Sequence, residues 1–198
     1  LPLDESHPTV PMNFYGHTKL AIENLLRWYS QLKGLRFSSL RYFNAAGYDV
    51  DGELNGLEHE PNNLLPIVME TIVGRRKKVE VFGTDYDTRD GSCIRDYIHV
   101  SDLADAHLKA LDYLKHENQD LVINLGTSNG LSVLEIMQIA REVSGQEFNY
   151  TLGPRRAGDP AVVLAKAELA EELLDWKPKH SDAQTLLETT LRAYRQSS

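Results

Sequence analysis

The sequence predicts an α/β fold, because amphipathic helical segments alternate with short apolar strands along nearly all of the chain. Neither internal repeats nor low-complexity tracts interrupt this alternation. Helices are expected near 13–33, 63–75, 101–115, 132–144, 166–175 and 181–195. Strands are expected near 36–42, 79–82, 121–124 and 148–151.

The first predicted helix carries Tyr15 four residues before Lys19. Four residues make about one helical turn, so the two side chains lie on one face. An ammonium group beside a phenol favours the phenolate, which suits a general acid or base near neutral pH. On spacing alone, an exposed Lys beside a half-buried Tyr is the simpler interpretation.

Apolar residues continue this helix at helical spacing and predict a face that is buried in a core. They are Ala21, Ile22, Leu25, Leu26 and Tyr29. Gly34 follows as a typical C-terminal stop.

The next segment, 36–44, is expected to be a strand that runs into a loop. Ligands in open α/β sheets bind at the carboxyl ends of the strands. Asn44, which is followed by the small residues Ala45, Ala46 and Gly47, is therefore expected to lie beside a ligand.

Local signals define three of the later helix ends. Ser101 is expected to cap the third helix, and Ser132 with Glu135 predicts a capping box on the fourth. Pro178 prevents the fifth helix from continuing past 175–177.

Composition and charge exclude several classes of protein. With 41% hydrophobic and 25% charged residues and no long apolar run, neither a membrane span nor a signal peptide is expected. A net charge of -8 argues against nucleic-acid binding. The single cysteine, Cys93, fits a reducing, cytoplasmic compartment and is interpreted as a small half-buried residue. No His, Cys, Asp and Glu set has metal-ligand spacing, and the basic cluster 75–78 is interpreted as a solvated helix end.

Five motifs together resemble the extended short-chain dehydrogenase/reductase family, and within it the UDP-glucose 4-epimerases. The long segment 81–100 is the most specific of them, because the related dehydratases and decarboxylases lack most of its first half. The motifs lie at 13–19, 40–47, 61–66, 81–100 and 154–160.

The resemblance implies the C-terminal part of an NAD(P)-binding Rossmann-like fold, with a smaller α/β substrate-binding domain. Residues 1–50 would complete the dinucleotide-binding domain, and 51–198 would form mostly the UDP-sugar domain, with some segments returning to the first. The sequence has no Gly-x-x-Gly-x-x-Gly turn and no catalytic Ser or Thr before Tyr15. The expectation is therefore a C-terminal portion of a family protein. The resemblance also implies that the complete protein forms a homodimer.

The activity implied by the resemblance is reversible oxidation at C4 of a UDP-hexose. Tyr15 would take the C4 hydroxyl proton while hydride moves to bound NAD, and hydride would return to the other face of the turned 4-keto sugar. Lys19 would support Tyr15 and hold the nicotinamide ribose, and Tyr42 would lie near the nicotinamide.

The resemblance also assigns contacts with the UDP-sugar, and these residue types suit it. Arginines bind phosphates, a carboxylate accepts from a ribose diol, and amides suit phosphate and sugar oxygens. The implied contacts are Asn44, Asn63, Leu64, Val81, Phe82, Arg95, Tyr97, Arg156 and Asp159. From the residues alone, Arg95 and Asp96 also fit a structural ion pair, Asn63 fits a helix cap, and His99 has no implied role.

Two other functions are compatible with the sequence. One is a sister enzyme on another nucleotide sugar, such as a pentose 4-epimerase or a decarboxylase, although the segment 81–100 argues against the decarboxylase. The other is a noncatalytic nucleotide-sugar-binding module. Val163, which is smaller than the aromatic residue of some family members, predicts that UDP-N-acetyl sugars are admitted.

The 198-residue chain alone is expected to have no epimerase activity, with or without added NAD. The reason is that its sequence supplies neither the glycine-rich phosphate turn nor the upstream Ser or Thr. Chromatography of products after incubation with UDP-galactose measures this. Detectable UDP-glucose would contradict the prediction.

Overall fold

The computed structural model describes residues 1–197, which form six helices and nine short strands. The helices are α1 (Phe14–Lys33), α2 (Leu64–Ile72), α3 (Val100–Glu117), α4 (Val133–Ser144), α5 (Glu168–Leu174) and α6 (Ala183–Gln196). The strands are β1 (Ser38–Tyr42), β2 (Asn44–Ala46), β3 (Val79–Phe82), β4 (Ile94–Arg95), β5 (Tyr97–His99), β6 (Leu121–Leu125), β7 (Leu131–Ser132), β8 (Tyr150–Gly153) and β9 (Val162–Val163).

All predicted helices and strands are present, with ends that differ by no more than three residues. The strands that sequence analysis missed, β2, β4, β5, β7 and β9, are only two or three residues long. A segment that short cannot display a hydrophobic period, so only its pairing partners reveal it.

The strands pair mostly in parallel. Parallel pairs join β1 with β6, β2 with β5, and β3 with β8. The short strand β4 lies between β7, which is antiparallel to it, and β9, which is parallel. Parallel pairing requires crossover connections, which the intervening helices provide.

Two hydrophobic cores support these strands. The first joins α2, α4 and α6 to β3, with Met69, Ile136 and Leu187 among its buried side chains. The second joins α3 and α5 to β6, with Ile123 and Trp176 among its buried side chains. Each core is therefore assembled from segments that are far apart in the sequence.

Helix α1 contradicts the prediction of a buried apolar face. Ala21, Ile22, Leu25 and Tyr29 are exposed, and Leu26 is only partly buried. The buried residues of this helix are the polar Glu23 and Ser30. The prediction was wrong because an apolar stripe does not say which face the rest of the chain will cover.

Polar contacts hold α1 against β1. The Glu23 carboxylate accepts hydrogen bonds from Arg41 Nε at 3.0 Å and from Ser39 Oγ at 3.1 Å. Ser30 Oγ donates to the carboxylate of Asp120, just before β6. Burial raises the pKa of Glu23, but the Arg41 and Ser39 hydrogen bonds outweigh it and hold that pKa below its usual value.

The helix caps confirm one prediction and correct another. Ser132 and Glu135 form the predicted capping box at the start of α4. At α3, however, the N-cap is His99, whose imidazole accepts the Ser101 backbone N–H. Ser101 was the wrong residue because the helix begins one position earlier than predicted, at Val100.

Asp96 joins the strands around β4 and β5. Its buried carboxylate accepts the backbone N–H of Thr127 at 2.9 Å, of Ser128 at 3.2 Å and of Ala165 at 3.1 Å. The Thr127 hydroxyl donates to the same carboxylate at 2.8 Å. The ion pair of Arg95 with Asp96, which was the alternative interpretation of these residues, does not form, because Asp96 is satisfied by these donors while Arg95 pairs with Asp159.

Replacement of Asp96 by Ala is expected to lower the free energy of unfolding by about 3 kcal/mol or more, because each buried donor left without an acceptor costs roughly 1–3 kcal/mol. Urea denaturation measures the change. The matched control is Asp87→Ala at an exposed position, expected to change stability by less than about 0.5 kcal/mol. Equal stability of the two variants would contradict the role of Asp96.

Candidate functional site

A cleft of about 1240 Å³ collects most of the residues that sequence analysis predicted for substrate binding. Its walls come from β2 and the loop after it, the start of α2, β3, the β4–β5 segment and the loop 156–159. The predicted residues that line it are Asn44, Asn63, Leu64, Phe82, Arg95, Tyr97, Arg156 and Asp159.

Arg95 is the least exposed of the cations that line the cleft. Its side chain is 13% exposed, and its Nη2 donates to Asp159 Oδ1 at 2.8 Å. Its Nη1 donates to the carbonyl oxygen of Ile94 at 2.8 Å. The guanidinium and the Asp159 carboxylate are thus oriented together, as a cation beside an acceptor.

Two adjacent arginines contact different aromatic rings. The Arg156 guanidinium lies over the Phe82 ring, 4.0 Å from its centroid, and lines the cleft. The Arg155 guanidinium lies over Tyr86 instead, at 4.3 Å, and its Nε donates to Asp85 at 2.7 Å. Of these two arginines, only Arg156 therefore presents its charge to the cleft.

Two amide side chains face the same space. Asn44 Nδ2 donates to the Asp96 carbonyl oxygen at 2.9 Å, which fixes the orientation of the carboxamide. Asn63 stands at the N-cap position of α2, but its side chain makes no capping hydrogen bond. Asn63 therefore occupies the N-cap position, as the alternative interpretation expected, but it does not cap the helix through its side chain.

Val81 and Tyr97 are buried. The Val81 side chain lies behind the cleft wall, while its neighbours Glu80 and Phe82 line it. Burial strongly raises the pKa of Tyr97, so its hydroxyl stays neutral at physiological pH. Tyr97 can offer a hydrogen bond to a ligand but is not suited to exchange protons with it.

The predicted catalytic pair lies outside the residues that line the cleft. Tyr15 is 69% exposed. Tyr42, which was predicted to lie near the nicotinamide, is 43% exposed and is also not among the lining residues. As the spacing predicted, Lys19 lies beside Tyr15, with Nζ 5.2 Å from the ring centroid. Exposed phenol and ammonium groups suit the nicotinamide-ribose end of an NAD molecule, whereas this sequence contains no glycine-rich turn for the pyrophosphate.

Several other residues line the cleft that were not predicted from the sequence. Arg76 and Lys78 are exposed, as expected of a solvated helix end, but they also line the cleft. Tyr48 and Glu58 enter it from the long loop after β2. Cys93 is buried rather than half-buried, and burial raises the pKa of its thiol, so it is not a reactive nucleophile.

Residues 1–197 contain neither a candidate metal site nor a candidate membrane-spanning helix. Within this range, no group of His, Cys, Asp and Glu side chains is arranged to hold a metal ion. None of the helices in the same range has the length and apolar character to span a membrane.

Comparison with known proteins places these features in context. Residues 2–126 match the NAD dependent epimerase/dehydratase family. The chain is 47% identical over 189 residues to a UDP-glucose 4-epimerase of Halalkalibacterium halodurans. That match covers 95% of this chain but 56% of the relative.

Solved structures agree with this match. The fold is similar to that of a Brucella ovis UDP-glucose 4-epimerase in complex with NAD, with a TM-score of 0.95 and 43% identity. It is also similar to a Bifidobacterium longum UDP-glucose 4-epimerase in complex with NAD+ and UDP, with a TM-score of 0.90 and 37% identity. The matches cover 98% and 99% of this chain, and 60% and 59% of those chains.

The chain thus spans a little over half the length of these relatives. The family match covers more than half of the chain, and the α/β architecture is the one predicted from the sequence. By its sequence and its fold, this chain belongs to the NAD dependent epimerase/dehydratase family.

Proposed function

We propose that this chain carries the UDP-sugar site and the proton-transferring Tyr–Lys pair of a UDP-glucose 4-epimerase. The observation that carries the proposal is the convergence of Arg95, Arg156, Asp159, Asn44 and Asn63 on one cleft. These groups match the diphosphate, the ribose diol and the polar oxygens of a UDP-sugar. The names of the relatives support the same substrate.

Each part of the nucleotide has a candidate partner in the cleft. Arg95 and Arg156 bind the diphosphate, and Asp159, held by Arg95, accepts from the ribose hydroxyls. Phe82 and the backbone of Val81 flank the uracil. Asn44, Asn63, Leu64 and Tyr97 complete the UDP-sugar contacts.

The hexose is held less tightly than the nucleotide. The charged side chains proposed as contacts are assigned to the diphosphate and ribose, so the sugar ring has freedom to turn. A 4-epimerase needs this freedom, because the same carbon must be presented from both faces. Val163 is partly buried in β9 and is paired with Arg95 in register. Because it is smaller than the aromatic residue of some family members, the proposal includes the admission of an N-acetyl group beside the sugar.

Tyr15 transfers the proton in this proposal. Its phenolate form takes the proton from the C4 hydroxyl, and the resulting phenol returns it, while the Lys19 ammonium stabilises the phenolate and would hold the nicotinamide ribose. Tyr42 would lie beside the nicotinamide. Bound NAD supplies the hydride acceptor and donor.

The remaining assignments follow from the same proposal. Residues 1–50 belong to the dinucleotide-binding domain, and 51–198 belong mostly to the UDP-sugar domain, with some segments returning to the first. Leu40 of β1 packs against the second core, whose buried members come from residues 98–176 and would be among the segments that return to the first domain. The complete enzyme acts in galactose metabolism as a cytoplasmic homodimer.

The test is UDP binding by isothermal titration calorimetry. Arg156→Ala is expected to weaken UDP binding about tenfold or more, because hydrogen bonds to charged groups contribute roughly 1.5–3 kcal/mol. The matched control is Arg155→Ala, one residue away, which removes a guanidinium committed to Asp85 and Tyr86. The control is expected to change UDP affinity less than about threefold.

Thermal unfolding shows whether each arginine variant remains folded. Failure of the wild-type chain to bind UDP would overturn the proposed function. An equal loss in both arginine variants would instead remove Arg156 from the diphosphate site.

A further inference from the structure

The His99 imidazole is buried and has both ring nitrogens engaged. Nδ1 accepts the backbone N–H of Ser101 at 3.0 Å, which caps α3. A ring nitrogen that accepts a hydrogen bond carries no proton, so the proton of the neutral ring is on Nε2. Nε2 therefore donates to Thr189 Oγ1 on α6, at 3.2 Å.

Thr189 connects this ring to the chain that follows β2. Its Oγ1 also accepts the backbone N–H of Tyr48 at 3.2 Å and donates to the Thr185 carbonyl oxygen at 2.8 Å. A hydroxyl has one donor and two acceptor positions, so all three positions are used. The Tyr48 backbone and the His99 ring are thus fixed to one oxygen atom.

Gly47 packs directly on the His99 ring. Its φ is +77°, and a Cβ built on it would lie 2.4 Å from His99 Cδ2, so only glycine fits this approach. Gly47, Tyr48 and Ser101 line the cleft, while His99 is not among the lining residues. The ring supports the cleft wall from behind.

We propose that His99 is a positioning residue that holds the Gly47–Tyr48 wall of the cleft on α6, and that protonation of its imidazole releases this wall and weakens nucleotide binding. The part that concerns nucleotide binding rests on the proposed function. The part that concerns the wall rests on the hydrogen bonds of His99 and Thr189.

Protonation of Nδ1 is incompatible with the hydrogen bond that Nδ1 accepts. A proton there would point at the Ser101 N–H, which is itself a donor, and the α3 cap would be lost. The positive end of the α3 dipole lies at the same place and disfavours a cation. Neither effect acts on the neutral ring.

Charged and titratable groups face His99 from several packed elements. Asp102 lies on α3, His180 and Asp182 precede α6, and Asp49 follows β2. On α6 itself, Arg192 donates to the Asp49 carbonyl oxygen. The His180 ring lies 5.9 Å from the His99 ring, and its electrostatic effect disfavours a positive charge on His99.

The carboxylates among these groups are already engaged. Asp102 accepts the Lys179 and His180 backbone N–H groups and the Ser181 hydroxyl. Asp182 accepts the Thr185 N–H, and Asp49 accepts the Glu53 and Leu54 N–H groups. Burial of the ring outweighs their attraction and lowers the pKa of His99 below its ordinary value.

The direction of the pH effect follows from this arrangement. The native wall favours the neutral ring, whereas an exposed His takes up its proton near pH ~6.5. The released form therefore binds more protons, and the wall loses stability as the pH falls below ~6.5. Above ~6.5 both forms are neutral, and the contribution of the wall is fully present.

The experiment follows the Tyr48 amide by hydrogen exchange between about pH 8 and about pH 5, the interval in which histidine titrates. In the wild type, the Tyr48 protection factor, corrected for intrinsic exchange, is expected to fall as the pH is lowered. The fall is at most about tenfold per pH unit, because the uptake of one proton permits no steeper change. UDP affinity is measured over the same interval. A loss of about tenfold is expected.

Two variants separate His99 from other titrating groups, including UDP itself. In His99→Asn the carboxamide oxygen replaces Nδ1 as the acceptor for the Ser101 N–H but does not titrate. The fall of the Tyr48 protection factor between about pH 8 and about pH 5 is therefore expected to shrink to less than about twofold. The matched control is His116→Asn, which removes an exposed histidine of the same helix and is expected to keep the wild-type profile.

A wild-type Tyr48 protection factor that does not change with pH would overturn the inference. A fall in His99→Asn as large as that in the wild type would also overturn it. Should His99→Asn fail to fold, nitrogen-15 NMR of the wild-type ring decides: the loss of Tyr48 protection must level off over the pH range in which His99 takes up its proton, and a loss that continues unchanged through that range would overturn the inference. Hydrogen exchange needs no ligand. Absence of UDP binding at about pH 8 would therefore count against the proposed function, while the exchange data would still decide the role of His99.

Discussion

The hydrogen bonds to the Asp96 carboxylate are the constraint on which the rest of the cleft depends. They tie the turn after β6 and the segment after β9 to one buried residue. The backbone of the same residue accepts from Asn44 and donates to Val163. Arg95 and Tyr97, the residues on either side, line the cleft, so the position of Asp96 sets the positions of its main cation and its buried phenol.

Polar contacts, rather than apolar packing, also determine where α1 lies. The carboxylate of Glu23 and the hydroxyl of Ser30 face the strands, while Leu25, Trp28 and Leu32 remain exposed. The hydrogen bonds between Glu23 and Arg41 therefore fix the helix that carries Tyr15 and Lys19. In contrast, apolar cores of conventional composition hold the helices around the cleft.

The candidate site was predicted from the sequence to the extent that its chemistry is local. Arg156 and Asp159 lie three residues apart in a motif that suits a nucleotide, and both line the cleft. Arg76 and Lys78 were missed, because a basic cluster after a helix has the same pattern whether it faces solvent or a cleft. Which of two adjacent arginines enters the cleft was decided by the rings of Phe82 and Tyr86, which are distant from them in sequence.

The sequence by itself determined the helices, the longer strands and the capping box at Ser132, because hydrophobic period and capping act between residues a few positions apart. Only the tertiary structure decided the short strands, the exposed face of α1 and the replacement of Ser101 by His99 as a cap. These features depend on which distant segments meet. Such meetings are set by burial and by the need to satisfy every buried polar group, neither of which a local pattern can express.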